Sequence, residues 1–373
     1  MEQQNWYVLD KPEEIDSPAL LVYPERIQTN IAEMIRIVGH PDRLVPHVKT
    51  HKMAAVVRLQ IAAGINRFKC ATIAEAEMLA EHGARTVLLA YPLHAPKARR
   101  FLRLIKLFPK VAFAALVDQE HGALTLDKLA AEQGVTVNVF IDLDNGMHRT
   151  GFPVTSDIAA LYRTVHNLSH LQARGLHVYD GHIRAKDFEQ RKRLTRQAFL
   201  PVEKAVEAIQ AEGLPQPEVI AGGSPTFTVH ALNDVVHCSP GTCLLWDKGY
   251  SDLLTEQPFL PAAVLLTRII SKPMEGRITT DLGHKSVAAE NPLDKRVWFF
   301  NLKTARPCGQ SEEHLVLEVD AAQWQQLEVG DVLYGLPYHI CPTVALYDEV
   351  QVVKSGRISA TWPVTARTKK ITI

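Results

Sequence analysis

Little in this chain marks it for the cell exterior, a membrane or a nucleic acid. Its five cysteines (Cys70, Cys238, Cys243, Cys308 and Cys341) are an odd, sparse set with no Cys-x-x-Cys pair, which argues against a disulfide framework and fits a reducing compartment. The longest apolar runs, such as 111–117 and 261–266, fall far short of the roughly 20 residues needed to cross a bilayer. Met1 to Trp6 has neither the basic start nor the apolar core of a signal peptide, so a cytoplasmic location is expected. Basic and acidic residues balance at 41 each, and no net charge draws the chain to nucleic acid or to an anionic membrane. Internal repeats, low-complexity tracts and a disordered linker are absent. What remains, at 373 residues with 46% apolar and 22% charged, is a globular chain of one large or two medium domains.

From about residue 43, short apolar and β-branched runs alternate with amphipathic helical stretches such as Ile73 to His82 and Gln190 to Ala211. Strands are expected at 43–49, 67–71, 86–91, 112–117, 137–143, 175–180, 218–222 and 235–240. Eight strands in strict alternation with helices predict an α/β fold, a (β/α)8 TIM-type barrel, over residues 16–253. A doubly wound open sheet is the alternative, but no Gly-x-Gly-x-x-Gly follows the first strand. Beyond 253 the runs shorten and turn residues separate them, which predicts a smaller β domain over 254–373. Residues 1–15 join it, with Trp6 to Leu9 as a possible extra strand.

A barrel of this kind builds its site from the loops at the carboxyl ends of its strands. Lys49 lies there after the first strand, Thr72 after the second and Tyr91 after the third. Arg149 follows the fifth strand, Tyr179 and His182 the sixth, Gly222, Gly223 and Ser224 the seventh, Gly241 and Thr242 the eighth. A lysine held where a strand meets a helix can be desolvated enough to act as an amine nucleophile; a solvated basic turn is the other reading of Pro46 to Lys52. The glycines after the seventh and eighth strands fall where this fold commonly binds phosphate through backbone N–H groups, although an isolated Gly-Gly is also an ordinary turn.

The string Pro46-His47-Val48-Lys49-Thr50-His51-Lys52 resembles the cofactor-lysine motif of the D-threonine aldolase and eukaryotic-type D-serine dehydratase family, fold-type III pyridoxal-phosphate enzymes. The resemblance covers roughly residues 15–365. It implies that Lys49 forms the Schiff base with pyridoxal 5'-phosphate. Asp144 to Gly151 is similar to the Asp-x-Gly-Met-x-Arg-x-Gly stretch of alanine racemases, with Asn145 where threonine is commoner, and gives Arg149 a place beside the cofactor's phenolic oxygen. Tyr179-Asp180-Gly181-His182 looks like a family segment whose tyrosine approaches the pyridine nitrogen and whose histidine lies against the ring. Ser311 to His314 also matches a family element, with no role assigned.

Near the C-terminus stands His339-Ile340-Cys341. Two residues apart on an extended strand, imidazole and thiolate would point to one side and could share Zn²⁺ while leaving positions open; a packed core pair is the alternative. The family carries a His-x-Cys or His-x-Asp metal pair, so the resemblance makes His339 and Cys341 divalent-metal ligands, with Zn²⁺ expected. His-x-Cys is similar to the dehydratases and His-x-Asp to the aldolases. The expected reaction is therefore loss of water and ammonia from D-serine or a close relative to give a 2-oxo acid. Retro-aldol cleavage of D-threonine is the alternative, with racemisation and non-catalytic cofactor carriage behind it. A homodimer is expected from the related two-domain enzymes and from the prevalence of two-fold dimers.

Overall fold

The computed structural model describes residues 5–373. The chain forms two compact units that interleave in sequence: 32–49, 56–241 and 368–373 make one, and the residues up to Ile31 with 50–55 and 242–367 make the other.

The first unit is the expected barrel of parallel strands and helices. Its strands run in the order Arg67–Cys70, Thr86–Pro92, Ala112–Val117, Val137–Asp144, Leu171–Val178, Glu218–Ala221 and Val236–Cys238, all parallel. The ring closes through 44–47. Val45 N donates to Cys238 O at 2.8 Å, His47 N to Pro240 O at 2.9 Å, and Lys69 N to Pro46 O at 2.9 Å. Among the described residues this eighth position is joined by isolated bridges, Leu44 to Cys238 and His47 to Lys69, and not by a ladder. The reason is local, because Pro46 has no N–H to give a ladder. The sixth strand begins at Leu171, earlier than its sequence pattern suggests, and a short Phe152–Pro153 strand pairs beside the fifth. Helices start where side-chain oxygens take up orphan N–H groups: Thr72 accepts from Glu75 N, Asp157 from Ala160 N and Asp187 from Gln190 N. Val45, Leu88, Ala114, Leu116, Phe140 and Ile220 fill the barrel's middle.

Among the described residues, the second unit contains a nine-stranded sheet. The strands Ala263–Met274, Val297–Phe299, Leu315–Glu318 and Glu349–Lys354 lie on the apolar patches read from sequence. Trp6 to Leu9 is not a strand, contrary to expectation. Its apolar side chains serve packing instead: Tyr7 stacks on Phe300 at 4.4 Å, and Leu9 N donates to the Tyr334 hydroxyl. The N-terminal strand is Ala19–Val22, antiparallel to Ala263–Met274 and parallel to Glu349–Lys354. Among the described residues no helix is long and apolar enough to cross a membrane.

Candidate active site

Strand alternation decides which side chains enter the barrel. Two residues beyond Val45, Leu88 and Phe140 come His47, Ala90 and Asp142, and these line a cavity of about 360 Å³ with Lys49, Lys69, Tyr91, Met147, Arg149, Thr150, His177 and Tyr179. Of the two motif lysines, Lys49 lines the cavity; its backbone N–H donates to His47 Nδ1 at 3.2 Å. Lys52 is not among the lining residues, and it carries an unusual φ of 54°.

Three cations surround one aromatic ring. Lys49 Nζ and Lys69 Nζ are each 5.7 Å from the Tyr179 ring centre, and the Arg149 guanidinium carbon is 5.1 Å away. The cavity's carboxylate, Asp142, already accepts from His177 Nδ1 at 2.7 Å and from Thr150 Oγ1 at 3.0 Å. Burial, then the Lys49 charge, pulls the Lys69 amine down to about 7, with Asp142 and Asp180 opposing and Arg149 adding to the effect. Burial also lowers His177, as does Lys69, so the imidazole is neutral.

The loops after the last two strands meet through hydroxyls. Ser224 Oγ accepts from Gly241 N, and Thr226 Oγ1 from Gly223 N, both at 3.3 Å. Gly222 adopts φ +79°, and a Cβ on Gly223 would stand 3.0 Å from Tyr179 Cε2. Asp180 anchors this loop from below. Its carboxylate accepts from Thr226 Oγ1 at 2.5 Å and pairs with His230 Nε2 at 2.7 Å. Burial works to raise the Asp180 pKa, but the His230 charge and these hydrogen bonds win, and it falls below the ordinary carboxylate value.

Of the other expected residues, Thr72 caps the helix Ile73–Glu81 and does not line the cavity. His182 is exposed, with its Nε2 close over Gly146. Thr242 belongs to the β unit, where its hydroxyl is 3.5 Å from Cys341 Sγ. Thr50 Oγ1 is 3.2 Å from the same sulfur.

The His339 and Cys341 pair is not on an extended strand, as expected from sequence. His339 is the N-cap of a short helix, Ile340–Val344, which contains Cys341. Pro342 suits that first turn because its missing N–H has no helical partner there. The two side chains still meet. A hydrogen bond to Cys341 lifts His339 to about 9; burial opposes the Cys341 thiolate, but His339 brings the thiol below its usual value. Glu290 Oε1 lies 2.5 Å from His339 Nδ1. Among the described residues no group of three or more His, Cys, Asp or Glu is arranged to hold a metal. Imidazole and thiol are donor types that zinc takes, so the pair fits an open two-ligand site and not a closed structural one.

A family model for "Alanine racemase, N-terminal domain" matches residues 22–248, and one for "Putative serine dehydratase domain" matches 262–353. The chain belongs to the alanine racemase N-terminal domain family, and it is a pyridoxal-phosphate-dependent lyase of the fold-type III class. It is 27% identical over 369 residues to a 3-hydroxy-D-aspartate aldolase of Paracoccus denitrificans, covering 95% of this chain and 93% of that protein. To the D-threo-3-hydroxyaspartate dehydratase of Delftia sp. it is 26% identical, over 93% of this chain and 97% of the relative. Among solved structures, D-threonine aldolase from Filomicrobium marinum superposes with a TM-score of 0.86 at 24% identity, covering 95% and 96% of the two chains. A cysteine-to-alanine variant of D-threo-3-hydroxyaspartate dehydratase in a metal-free form superposes at 0.83, with 24% identity and 94% and 97% coverage. These superpositions show the fold.

The residues at hand fit the cofactor. Surplus positive charge around a tyrosine ring, beside a Gly222–Gly223 turn where a Cβ would crowd its neighbours, suits a planar, anionic, phosphorylated ring. Sequence reasoning missed Lys69, His177 and the Asp180, Thr226 and His230 set. Strand parity was the available signal for Lys69; the others are paired by the fold alone.

Proposed function

We propose that this chain is a lyase of D-3-hydroxy amino acids that removes water from D-serine or a close relative, giving a 2-oxo acid and ammonia. The observation that carries the reading is the cation-rich cavity holding Lys49, Arg149 and Tyr179. Pyridoxal phosphate, when bound, supplies a ring that withdraws charge from the substrate's α-carbon. On this reading Lys49 would hold the cofactor, and its amine would be the base that takes the α-proton. Arg149 and Tyr179, which line the same cavity, would hold the cofactor ring, Arg149 offsetting its negative charge. Gly222, Gly223, Ser224 and Gly241 would hold the phosphate.

Dehydration is preferred over aldol cleavage because Cys341 is a thiol paired with His339. A zinc ion on these two residues would supply Lewis-acid chemistry for a departing hydroxide. The relatives include aldolases as well as dehydratases, so the second reading is retro-aldol cleavage. The working assembly is taken as a cytoplasmic homodimer, with sedimentation as its test.

The deciding experiment offers D-serine, D-threonine and D-threo-3-hydroxyaspartate to the enzyme, with zinc and after chelation. Pyruvate and ammonia from D-serine, lost on chelation and restored by zinc, is the expected outcome. Glycine and acetaldehyde from D-threonine, with no pyruvate from D-serine, would replace dehydration by aldol cleavage.

A further inference from the structure

Lys69 is a fully buried amine that the proposed chemistry does not use. Its Nζ donates to Ser239 Oγ at 2.5 Å, and Ser239 Oγ donates in turn to Gly222 O at 2.7 Å. On the other side it lies 3.3 Å from His177 Nε2, whose Nδ1 faces Asp142 Oδ1 at 2.7 Å. The proton positions follow from the acceptors. A carboxylate can only accept, so Nδ1 of the neutral imidazole carries its proton and Nε2 accepts from Lys69. A single chain of donors therefore runs from the Lys69 ammonium to Asp142 in one direction and to the Gly222 carbonyl in the other. Among the described residues Lys69 has no carboxylate within ion-pair distance of its own.

We infer that Lys69 is a positioning residue for the cofactor: through Ser239 it fixes the Gly222 loop, and its charge awaits the cofactor's anionic groups. The inference rests on reading this cavity as the cofactor site. Lys49, Arg149, Asp142, Asp180 and His177 face the amine from the neighbouring strands and loops. The sign of the pH effect follows. With the Lys69 amine titrating at about 7 before binding, an anionic ligand raises its pKa and draws in a proton, so affinity falls as pH rises above 7.

The probe is pyridoxine 5'-phosphate, which lacks the aldehyde and cannot bond to Lys49, titrated calorimetrically into the cofactor-stripped full chain from pH 6.5 to 9. The ligand's own ionisations are common to all variants and cancel. Lys69→Met should bind about tenfold more weakly at pH 6.5 and lose the parent's pH slope, as expected for a lost hydrogen bond to a charged group. Ser239→Ala should bind more weakly but keep the slope. A Lys69→Met protein with parental affinity and slope overturns the inference, and so does Ser239→Ala with parental affinity. Should Lys69→Met fail to fold, Lys69→Gln is titrated in its place, and a parental affinity and slope there overturn the inference equally. A parent that does not bind the probe at all refutes the cofactor site itself.

Discussion

Replacing Gly222 by alanine should separate loop geometry from cofactor contact. Gly222 has φ +79°, and a Cβ there would lie 2.9 Å from His230 Cδ2, 3.2 Å from Thr226 Oγ1 and 3.4 Å from Phe227 Cα. The left-handed backbone costs an alanine about 1–2 kcal/mol. Overpacking adds about 1–3 kcal/mol, because His230 cannot swing aside without leaving its buried partner Asp180. Loss of chain freedom in the unfolded state returns about 0.4–1 kcal/mol. The net expectation is a destabilisation of about 1–4.5 kcal/mol, read as a lower urea midpoint with an unchanged slope. Gly223→Ala is the control. Its φ is not in the left-handed region and its Cβ would press chiefly on the Tyr179 ring, so stability should hold while cofactor affinity falls. If Gly222→Ala unfolds within about 0.5 kcal/mol of the parent, a shift typical of a neutral surface change, the account of this loop is wrong.

Lys49→Ala should fold but lose the cofactor adduct that borohydride fixes in the parent; peptide mapping of the parent must find that adduct on Lys49, and finding it on Lys52 refutes the assignment. Cys341→Ala should still take up pyridoxal phosphate, with the yellow colour retained, but lose zinc-dependent release of pyruvate; parental turnover without metal dependence would make the pair structural. Asp180→Asn removes a buried charge paired with His230 and should cost about 3–5 kcal/mol at neutral pH. Because the folded Asp180 pKa is depressed, its contribution is present above the unfolded value near ~4 and is lost as pH falls through the folded value. The parent and Asp180→Asn denaturation curves should therefore converge in acid, and a constant difference down to the lowest pH would contradict this.

The barrel was legible because its strands are buried on both faces and read as unbroken apolar runs, spaced by helices of clear period. Where the reading slipped, a local rule had been outweighed by packing or pairing. Trp6 to Leu9 has the residues of a strand, yet their burial is satisfied by an aromatic cluster with Tyr23, Phe300 and Tyr334. Around His339 the two-residue spacing was read as extended, although Pro342 equally well opens a helix. The strands Arg277–Thr280 and Arg306–Gln310 carry charge and turn residues, and they take their form from pairing with Leu315–Glu318.

Strand ends drew attention to Lys49, Tyr91, Arg149 and Tyr179, which line the cavity, but also to Thr72, which caps a helix instead; Lys69 and His177, within strands, went unread. Lys69 shows why this need not be so. In Arg67-Phe68-Lys69-Cys70, the two charged residues share one parity and the two apolar residues the other. In a barrel whose outer face meets helices, Phe68 and Cys70 belong under the helices, which leaves Arg67 and Lys69 to point into the ring. Arg67 finds Glu218 there as a partner. Among the described residues Lys69 finds a serine and a neutral imidazole, since Asp142 is committed to His177 and Thr150. A buried cation without its own carboxylate, beside two further cations, leaves the site short of negative charge until an anion arrives.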